Sequence, residues 1–397
     1  MSITRKYIED EYIEKLINYK YRGGDNSILC YYVIDPLSEF IVKYFPKTLA
    51  PNVITVSGWF LNLFNLIVTT YYTGWKGGNS LPPWTYYACS IAFTTYIILD
   101  YSDGKQARRL KASSPLGLLI DHGTDACTTF YVTILSGTFS YYDNIYLYLL
   151  YYLPVTLTFF MNTLEEYYVG ELILPVINGV AEGTFVLDIL MALSRIYGIS
   201  LYKKEIRLFG NFSLPFNVIS GISIGMGGCI FSIKSFFGII TKIRKEKIFN
   251  AFKDMAIYIL FVATIFSVIS LNDSIIVKEY PKIIILTFGF QFAKMVGILQ
   301  LAHILGSPFK VWTPEFLIPM TALLIHSICF YFTGYSILVS IDSLIISVFL
   351  WNFISWAHYV YFCSEEICEI LNIKRFSLGK RYPDRPSFEE IKKLKYA

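Results

Sequence analysis

Ten apolar runs, each long enough to cross a lipid bilayer as a helix, dominate this chain of 397 residues. A helix needs about 20 consecutive apolar residues to cross the hydrocarbon layer, because it rises only about 1.5 Å per residue. The runs fall approximately at residues 52–73, 84–102, 116–137, 142–163, 172–194, 214–240, 252–271, 283–304, 313–334 and 338–363. We therefore predict an all-α, polytopic integral membrane protein with about ten transmembrane helices.

The composition agrees with a location in a membrane. Hydrophobic residues make up 54% of the chain and charged residues only 16%, whereas a typical soluble domain carries about 25% charged residues. The net charge of +4 is too small for a chain of this length to predict nucleic-acid binding. The seven cysteines are scattered and form no C-x-x-C pair, so a zinc ribbon or a disulfide scaffold is not expected.

Three regions are predicted along the chain. Residues 1–50 form a polar arm, residues 51–364 form the transmembrane domain, and residues 365–397 form a basic cytosolic tail. Within the arm, residues 36–47 form an amphipathic helix suited to the membrane interface, with apolar side chains on one face at Leu37, Phe40, Ile41 and Tyr44.

Positive charge predicts which side of the membrane each loop occupies, because Lys and Arg accumulate on the cytosolic side. With ten spans, the basic residues of the arm, of the loops after the second and sixth runs, and of the tail all lie on one side, so both termini are predicted to be cytosolic. The loop between the fifth and sixth runs is the exception, since Lys203, Lys204 and Arg207 would face the opposite side.

Four aspartates lie at the end of the second apolar run and near the start of the third. Asp100 and Asp103 are three residues apart, and Asp121 and Asp125 are four residues apart, so each pair shares one face of its helix. The short intervening loop folds the two helices into a hairpin in which the four carboxylates can converge. Carboxylates are costly near a bilayer, so their presence there predicts a functional site.

The four aspartate carboxylates predict a site for bound metal ions. Four carboxylates close together would repel one another, and two divalent cations would balance their charge. Hard oxygen ligands select Mg²⁺, Mn²⁺ or Ca²⁺ over Zn²⁺. A pair of such ions can stabilise the attacking and leaving oxygens in a displacement at phosphorus. The motif therefore predicts metal-assisted phosphoryl or substituted-phosphoryl transfer.

Small and basic residues beside the aspartates predict a diphosphate ligand. Gly104, Ala107 and Gly117 allow the backbone to approach a bulky ligand closely. Arg108 offers a planar, permanently charged fork for phosphate. Ser114 and Pro115 are suited to the N-cap and first position of the third helix, which places a helix N-terminus near the same anion. Simple ion pairing within a surface loop does not explain four aspartates at helical spacing with interleaved glycines.

The pattern Asp100-x2-Asp103-Gly104-x2-Ala107-Arg108-x8-Gly117-x3-Asp121-x3-Asp125 resembles the signature of the CDP-alcohol phosphotransferase family (CDP-alcohol phosphatidyltransferase class I) at every specified position. The residues around it are similar to the eukaryotic choline/ethanolamine phosphotransferase branch. Further similarity to that branch lies in residues 50–55, 165–167, 302–303 and 369–373.

The resemblance implies an activity and a location. The activity is transfer of phosphocholine or phosphoethanolamine from CDP-choline or CDP-ethanolamine to the sn-3 hydroxyl of diacylglycerol, with release of CMP. The implied location is the endoplasmic reticulum or Golgi membrane, with the active site facing the cytosol, and a homodimer is the implied assembly.

The resemblance also implies a set of site residues. Two Mg²⁺ or Mn²⁺ ions would be held by Asp100, Asp103, Asp121 and Asp125. The CDP pocket would be lined by Asn52, Gly104, Ala107, Arg108 and Gly117. Catalysis would consist mainly of positioning and charge neutralisation.

Two residues are candidates for the general base. In the family at large Asp125 is a candidate, whereas this branch offers His122, whose imidazole titrates near neutral pH. Glu182 is an acidic residue that could orient the imidazole. Our hypothesis is that His122 is the base, although it is turned about 100° from Asp121 on the helix.

Two alternative functions are compatible with the acidic motif. Another member of the same family, such as a CDP-diacylglycerol-dependent phosphatidylinositol synthase, would use the same metal site with different substrates. A divalent-cation transporter would use the aspartates as a permeation site, but Arg108 beside them would repel a permeating cation. Within the amino-alcohol branch, the sequence leaves choline, ethanolamine or both as the accepted alcohol.

Overall fold

The computed structural model describes residues 6–336 and 339–381. Within these residues, ten helices of 20 residues or more form the body of the protein. The helices are α1 (Ile13–Asn18), α2 (Asp35–Val42), α3 (Pro51–Thr73), α4 (Pro83–Leu110), α5 (Pro115–Phe139), α6 (Ile145–Val169), α7 (Ala181–Tyr202), α8 (Phe216–Lys242), α9 (Lys245–Ser270), α10 (Ile275–Glu279), α11 (Pro281–Leu305), α12 (Pro314–Thr333) and α13 (Ile341–Leu371). The strands are β1 (Gly23–Asp25), β2 (Leu172–Leu174), β3 (Glu205–Phe209) and β4 (Phe212–Pro215).

The predicted all-α, polytopic membrane architecture is confirmed. In the described part of the chain, eight helices are long and apolar enough to cross a membrane: α3, α6, α7, α8, α9, α11, α12 and α13. The other two long helices, α4 and α5, carry the charged motif, so their composition alone does not assign them to the membrane. A count of ten spans therefore stays a prediction.

The fifth apolar run was predicted to be helical from residue 172, and this is wrong for its first part. Leu172–Leu174 form β2, which pairs in parallel with β1 of the N-terminal arm. Pro175 and Gly179 follow, and the side-chain oxygen of Asn178 accepts the backbone N–H groups of Val180 (2.9 Å) and Ala181 (3.0 Å). This side chain caps the start of α7, so the helix begins at Ala181.

Two helices extend beyond their predicted ends. Helix α4 continues from residue 102 to Leu110 and ends at Lys111, which has a left-handed backbone conformation with φ 54°. Arg108 and Arg109 in its last turn interact favourably with the helix C-terminus. Helix α13 continues to Leu371, so residues 365–371 of the predicted tail are helical. Residues 372–381 of that tail follow the helix and are described, whereas residues 382–397 lie outside the described residues.

The N-terminal arm is packed against the helices. Ile8 and Leu16 are fully buried in a cluster that includes Leu116, Leu301 and Ile367. The Glu366 carboxylate accepts the backbone N–H groups of Tyr7 (2.8 Å) and Ile8 (3.3 Å). Helix α2 overlaps the predicted amphipathic segment but ends at Val42. It exposes Leu37 and Phe40, and Tyr44 just beyond it is also exposed. Its place at a membrane interface stays a prediction.

Helix α11 lies at the centre of the fold. It is buried along most of its length and packs against α5, α6 and α13. At the contact with α5, the Phe130 and Phe290 rings have centroids 5.1 Å apart. Gly289 lies directly beneath Phe130, because a Cβ atom at position 289 would lie 2.5 Å from a ring atom. The close approach of α5 and α11, which positions half of the acidic motif, therefore requires a glycine.

We expect Gly289→Ala to lower the melting temperature of the detergent-solubilised protein by several degrees. The added methyl group would clash with a fully buried ring, and overpacking of this kind costs about 1–3 kcal/mol. Gly227→Ala on α8 is the matched control, because in the described structure nothing lies within 4 Å of its Cβ position. Equal melting temperatures for the two variants would contradict the packing described here.

Candidate active site

One face of α4 carries all of its motif residues. Asp100, Asp103, Gly104, Ala107 and Arg108 are spaced so that they line a single helical face. The Arg108 guanidinium is exposed, and one of its nitrogens lies 3.4 Å from where a Cβ atom on Gly104 would be. The extension of α4 beyond the predicted span thus places the phosphate-binding candidates directly after the acidic pair.

Other residues of the last turns of α4 hold the N-terminal segment. Lys105 forms an ion pair with the Asp35 carboxylate at the start of α2. The Arg109 guanidinium donates to the carbonyls of Val42 (2.6 Å) and Phe45 (3.0 Å). The basic residues that follow the second run therefore have different roles, since these two anchor the arm while Arg108 faces solvent beside the motif.

Helix α5 presents the second half of the motif, and it begins as predicted. The Ser114 hydroxyl accepts the Gly117 backbone N–H at 3.2 Å, and Pro115 occupies the first turn. This confirms Ser114 as the N-cap. Gly117, Asp121 and Asp125 follow at intervals of four residues and share one face of the helix.

Three of the four predicted carboxylates meet. Among the described residues, Asp100, Asp121 and Asp125 each offer a carboxylate oxygen, and these oxygens lie within 4.8 Å of one another. Asp103 lies one turn along α4, is buried, and accepts a hydrogen bond from the Thr55 hydroxyl of α3. Helices α4 and α5 make few direct contacts in the described structure, and α3 packs against both. The predicted hairpin is therefore open, and α3 holds its two arms in place.

This cluster fits a divalent cation. The Asp100 Oδ1 atom is buried and has no hydrogen-bond partner among the described residues. A buried carboxylate oxygen without a partner is unfavourable unless a cation or water completes it. Asp125 is oriented by the Tyr96 hydroxyl, which donates to its Oδ1 atom at 2.8 Å. The donor set consists of carboxylate oxygens, which favours ions of the Mg²⁺ or Mn²⁺ type.

The nucleotide-binding candidates lie around the start of α5. The Asn52 Oδ1 atom, at the N-terminus of α3, lies 3.5 Å from where a Cβ atom on Gly117 would be. One turn further along α3, Thr55 contacts Asp103. Asn52 and Gly117 are thus brought together next to the acidic cluster, while Gly104, Ala107 and Arg108 line the adjoining face of α4.

His122 lies between two acidic side chains. Its Nδ1 atom is 3.7 Å from an Asp121 carboxylate oxygen, and its Nε2 atom is 3.6 Å from the Glu166 Oε2 atom of α6. The other Glu166 oxygen is 3.6 Å from His303 of α11. Glu166 is completely buried, so its carboxylate is enclosed between two imidazoles. The Tyr19 hydroxyl from the N-terminal arm lies 2.9 Å from the His303 Nε2 atom.

Glu182 does not lie against His122, so the predicted pairing of these residues is corrected. Its carboxylate accepts the Ser27 hydroxyl (2.6 Å), the Leu29 N–H (3.1 Å) and the Asn178 N–H (2.8 Å). These bonds tie the N-terminal arm to the start of α7. A carboxylate with three donors of this kind is a structural anchor.

Glu166 takes the place predicted for Glu182, and sequence reasoning assigned it no role. The signal was present, because Glu165 and Glu166 stand together at the end of an apolar helix. Adjacent residues on a helix point about 100° apart. Glu165 is partly exposed and lies 3.9 Å from Lys242, whereas Glu166 faces the site. Which of the two faces inward depends on how α6 packs.

The helices that carry the site belong to a segment that matches a known protein family. Residues 48–194 match the family model described as CDP-alcohol phosphatidyltransferase. The chain contains a CDP-alcohol phosphatidyltransferase domain. This domain includes α3 to α6 and most of α7, and hence Asn52, the four aspartates, His122 and Glu166.

Named relatives are similar to this chain, two of them over most of its length. Choline/ethanolaminephosphotransferase 1 of Saccharomyces cerevisiae is 26% identical, with 81% of this chain and 85% of the relative aligned. Choline/ethanolaminephosphotransferase 1 of Arabidopsis thaliana is 28% identical over 76% of this chain and 80% of the relative. Ethanolaminephosphotransferase 1 of Mus musculus is 37% identical over 43% of this chain and 45% of the relative.

A cavity of about 330 Å³ adjoins the acidic cluster of the phosphatidyltransferase domain. It lies among α4 to α8 and the segment that contains β2, and its walls are mostly apolar, including Phe93, Val132, Tyr151, Phe159 and Leu187. Asp125 belongs both to the wall of this cavity and to the carboxylate cluster. The Asp125 side chain therefore connects the carboxylate cluster to a mostly apolar cavity that the domain shares with α8.

Proposed function

We propose that the protein transfers phosphocholine or phosphoethanolamine from CDP-choline or CDP-ethanolamine to the hydroxyl of diacylglycerol, forming a phospholipid and CMP. The observation that carries this proposal is the carboxylate cluster at the wall of an apolar cavity. A charged diphosphate and an apolar lipid can meet only where two such environments adjoin. The names of the relatives support the choice of amino alcohol.

Asp100, Asp103, Asp121 and Asp125 would hold two Mg²⁺ or Mn²⁺ ions. When bound, these ions neutralise charge on the diphosphate and stabilise the attacking and leaving oxygens. The exposed Arg108 guanidinium would bind a phosphate oxygen, assisted by the N-terminus of α5. Gly104 and Gly117 would leave room for the diphosphate to lie against the backbone.

His122 would act as the general base. Glu166 lies 3.6 Å from the Nε2 atom and would favour a proton there. The buried Nδ1 atom lies 3.7 Å from an oxygen of the metal-ligand candidate Asp121 and makes no hydrogen bond in the described structure. Nδ1 would accept the proton of the diacylglycerol hydroxyl as its oxygen bonds to phosphorus. The bond between this phosphorus and the CMP oxygen breaks, and CMP leaves with the electron pair.

The lipid would enter the apolar cavity with its hydroxyl towards Asp125. Because positively charged residues follow α4 and α8, we place the site on the cytosolic side of the endoplasmic reticulum or Golgi membrane. This location gives the water-soluble CDP-amino alcohol access from the cytosol. A homodimer stays a prediction.

Val132→Phe is expected to raise the KM for long-chain diacylglycerol several-fold. Val132 lines the cavity, and a phenyl ring would occupy space needed by an acyl chain. The KM for CDP-choline and the activity towards a short-chain diacylglycerol should change little. Val360→Phe is the control, since this α13 side chain is exposed and belongs to no wall of the cavity. If Val132→Phe raised the KM for long-chain and short-chain diacylglycerol equally, the cavity could not be the acyl-chain site.

The proposed activity is tested by measuring CMP release from the purified protein. Each CDP-amino alcohol is supplied with diacylglycerol, and CDP-diacylglycerol with inositol is supplied in parallel. We expect CMP in one or both of the first two reactions and none in the third. Release of CMP in the inositol reaction alone would assign the protein to the phosphatidylinositol synthases. Uptake of Mg²⁺ or Mn²⁺ into proteoliposomes without nucleotide would instead support a transporter.

A further inference from the structure

The chain folds back after α13 as a short hook, residues 372–381, which we name the C-terminal hook. Helix α13 ends at Asn372, whose φ of 54° turns the chain away from the helix axis. Ile373 and Lys380 then form an antiparallel bridge. The hook therefore has a defined path within the described structure.

Glu365 of α13 anchors the hook. Its carboxylate accepts a hydrogen bond from the Arg375 guanidinium at 2.8 Å and another from the Arg381 guanidinium. The Arg375 side chain donates in addition to the Tyr361 carbonyl at 3.1 Å and lies 5.1 Å above the Tyr361 ring. A single carboxylate thus holds two arginines of the hook, and planar guanidinium groups make this anchor directional.

The anchored hook contacts the nucleotide-binding candidate Asn52. The Arg375 backbone carbonyl accepts a hydrogen bond from the Asn52 Nδ2 atom at 2.8 Å. A carbonyl oxygen can only accept, so the Asn52 amide must turn its nitrogen to the hook. Its Oδ1 atom then faces the start of α5, next to Gly117. The hook consequently determines that Asn52 presents its acceptor atom Oδ1, and not its NH₂ donor, towards the start of α5.

We propose that the C-terminal hook is a positioning element for nucleotide recognition: it fixes the Asn52 amide so that Oδ1 accepts an N–H or O–H donor of cytidine. This inference rests on the proposed function. Cytidine carries such donors on the amino group of its base and on its ribose hydroxyls. Without the Arg375 carbonyl, the amide can rotate and present its NH₂ group, which repels both kinds of donor.

Glu365→Gln tests the anchor without touching Asn52. We expect the Kd for CMP and the KM for CDP-choline to rise about tenfold, the effect of losing one ordinary hydrogen bond. The KM for diacylglycerol and the kcat should stay within about twofold, because the carboxylate cluster and the cavity are unaffected. Faster tryptic cleavage after Lys374 and Arg375 in folded protein would report release of the hook.

Glu279→Gln is the matched control for Glu365→Gln. Glu279 forms an exposed ion pair with Lys76 at 2.8 Å, so the same substitution removes a surface charge without affecting the hook. Glu365→Asp keeps the charge and should restore part of the affinity. An unchanged Kd for CMP in Glu365→Gln would overturn the inference, whether or not its hook is cleaved faster by trypsin.

A double-mutant cycle tests whether the hook acts through Asn52. In an Asn52→Ala background, Glu365→Gln should weaken CMP binding no further, whereas additive losses would overturn the inference.

Two substrate analogues identify the cytidine group that donates to Asn52. If the amino group of the base is the donor, Asn52→Ala reduces the preference of the enzyme for CDP-choline over UDP-choline. If a ribose hydroxyl is the donor, Asn52→Ala reduces the preference for CDP-choline over its 2′-deoxy analogue. If the Asn52→Ala variant retained both preferences, the inference would also be overturned.

The two proposals fail in distinguishable ways. If the wild-type protein binds neither CMP nor either CDP-amino alcohol, the proposed function fails, and the inference fails with it. If the wild-type protein binds these nucleotides and the Glu365→Gln variant binds them equally well, only the role of the hook is overturned.

Discussion

We expect Asp121→Asn to reduce CMP release by more than about a hundredfold while the protein remains folded and membrane-inserted. Asp121 offers one of the three carboxylate oxygens that lie within 4.8 Å of one another, and an amide removes the charge that a cation needs. Even the outer partners of a metal site typically account for about 10- to 100-fold in affinity or activity, so a direct ligand should exceed this. Measuring CMP release over a range of Mg²⁺ and Mn²⁺ concentrations checks the prediction.

Asp273→Asn is the matched control for Asp121→Asn. Asp273 is exposed and pairs with Lys278, far along the chain from the motif. The control variant should retain wild-type turnover and metal dependence. If Asp121→Asn retained most of the activity at ordinary Mg²⁺ concentrations, the cluster could not be the metal site of the reaction, and the proposed function would lose its main support.

His122→Ala is expected to lower kcat about 10²- to 10⁴-fold, the range typical of a lost general base. The affinity for CMP and for metal should be retained, because the carboxylate cluster is intact. Glu166→Gln should lower kcat by a smaller factor, since it removes the charge beside the His122 Nε2 atom and the His303 Nε2 atom but leaves the His122 imidazole in place. Single-turnover measurements of CMP formation separate this effect on chemistry from any effect on product release.

His326→Ala provides the control for His122→Ala. His326 is buried on α12, where its Nε2 atom lies 2.9 Å from the Val339 carbonyl, so its loss tests removal of a buried imidazole as such. If His122→Ala kept near-normal turnover while Asp125→Asn abolished it without loss of bound metal, Asp125 would be the general base.

The membrane architecture and the acidic motif could both be predicted from local patterns. Long apolar runs form helices in a bilayer whatever their neighbours are, because every backbone polar group must be satisfied within the segment. The spacing of Asp100 and Asp103, and of Asp121 and Asp125, depends only on helical periodicity. The capping role of Ser114 is likewise local, and the structure confirms it.

Local patterns failed where apolar character had a different cause. Residues 172–174 are apolar because they line a cavity and pair with β1, not because they lie in a membrane helix. Within the predicted arm, residues 1–50, no local pattern predicted that Ile8 and Leu16 are buried among residues of α5, α11 and α13. Both features arise from contacts between segments distant in the chain.

The sequence by itself determined the membrane fold class, the faces of α4 and α5 that carry the aspartates, and the chemistry those faces can support. Tertiary structure decided which side chains complete the site. The packing of α6 turns Glu166, not Glu182, towards His122, and α3 holds Thr55 against Asp103. The hook after α13 reaches Asn52 from more than 300 residues away, since the Arg375 carbonyl bond spans 323 positions. Periodicity sets the direction of a side chain on its own helix, whereas the partner it meets depends on how helices rotate and pack.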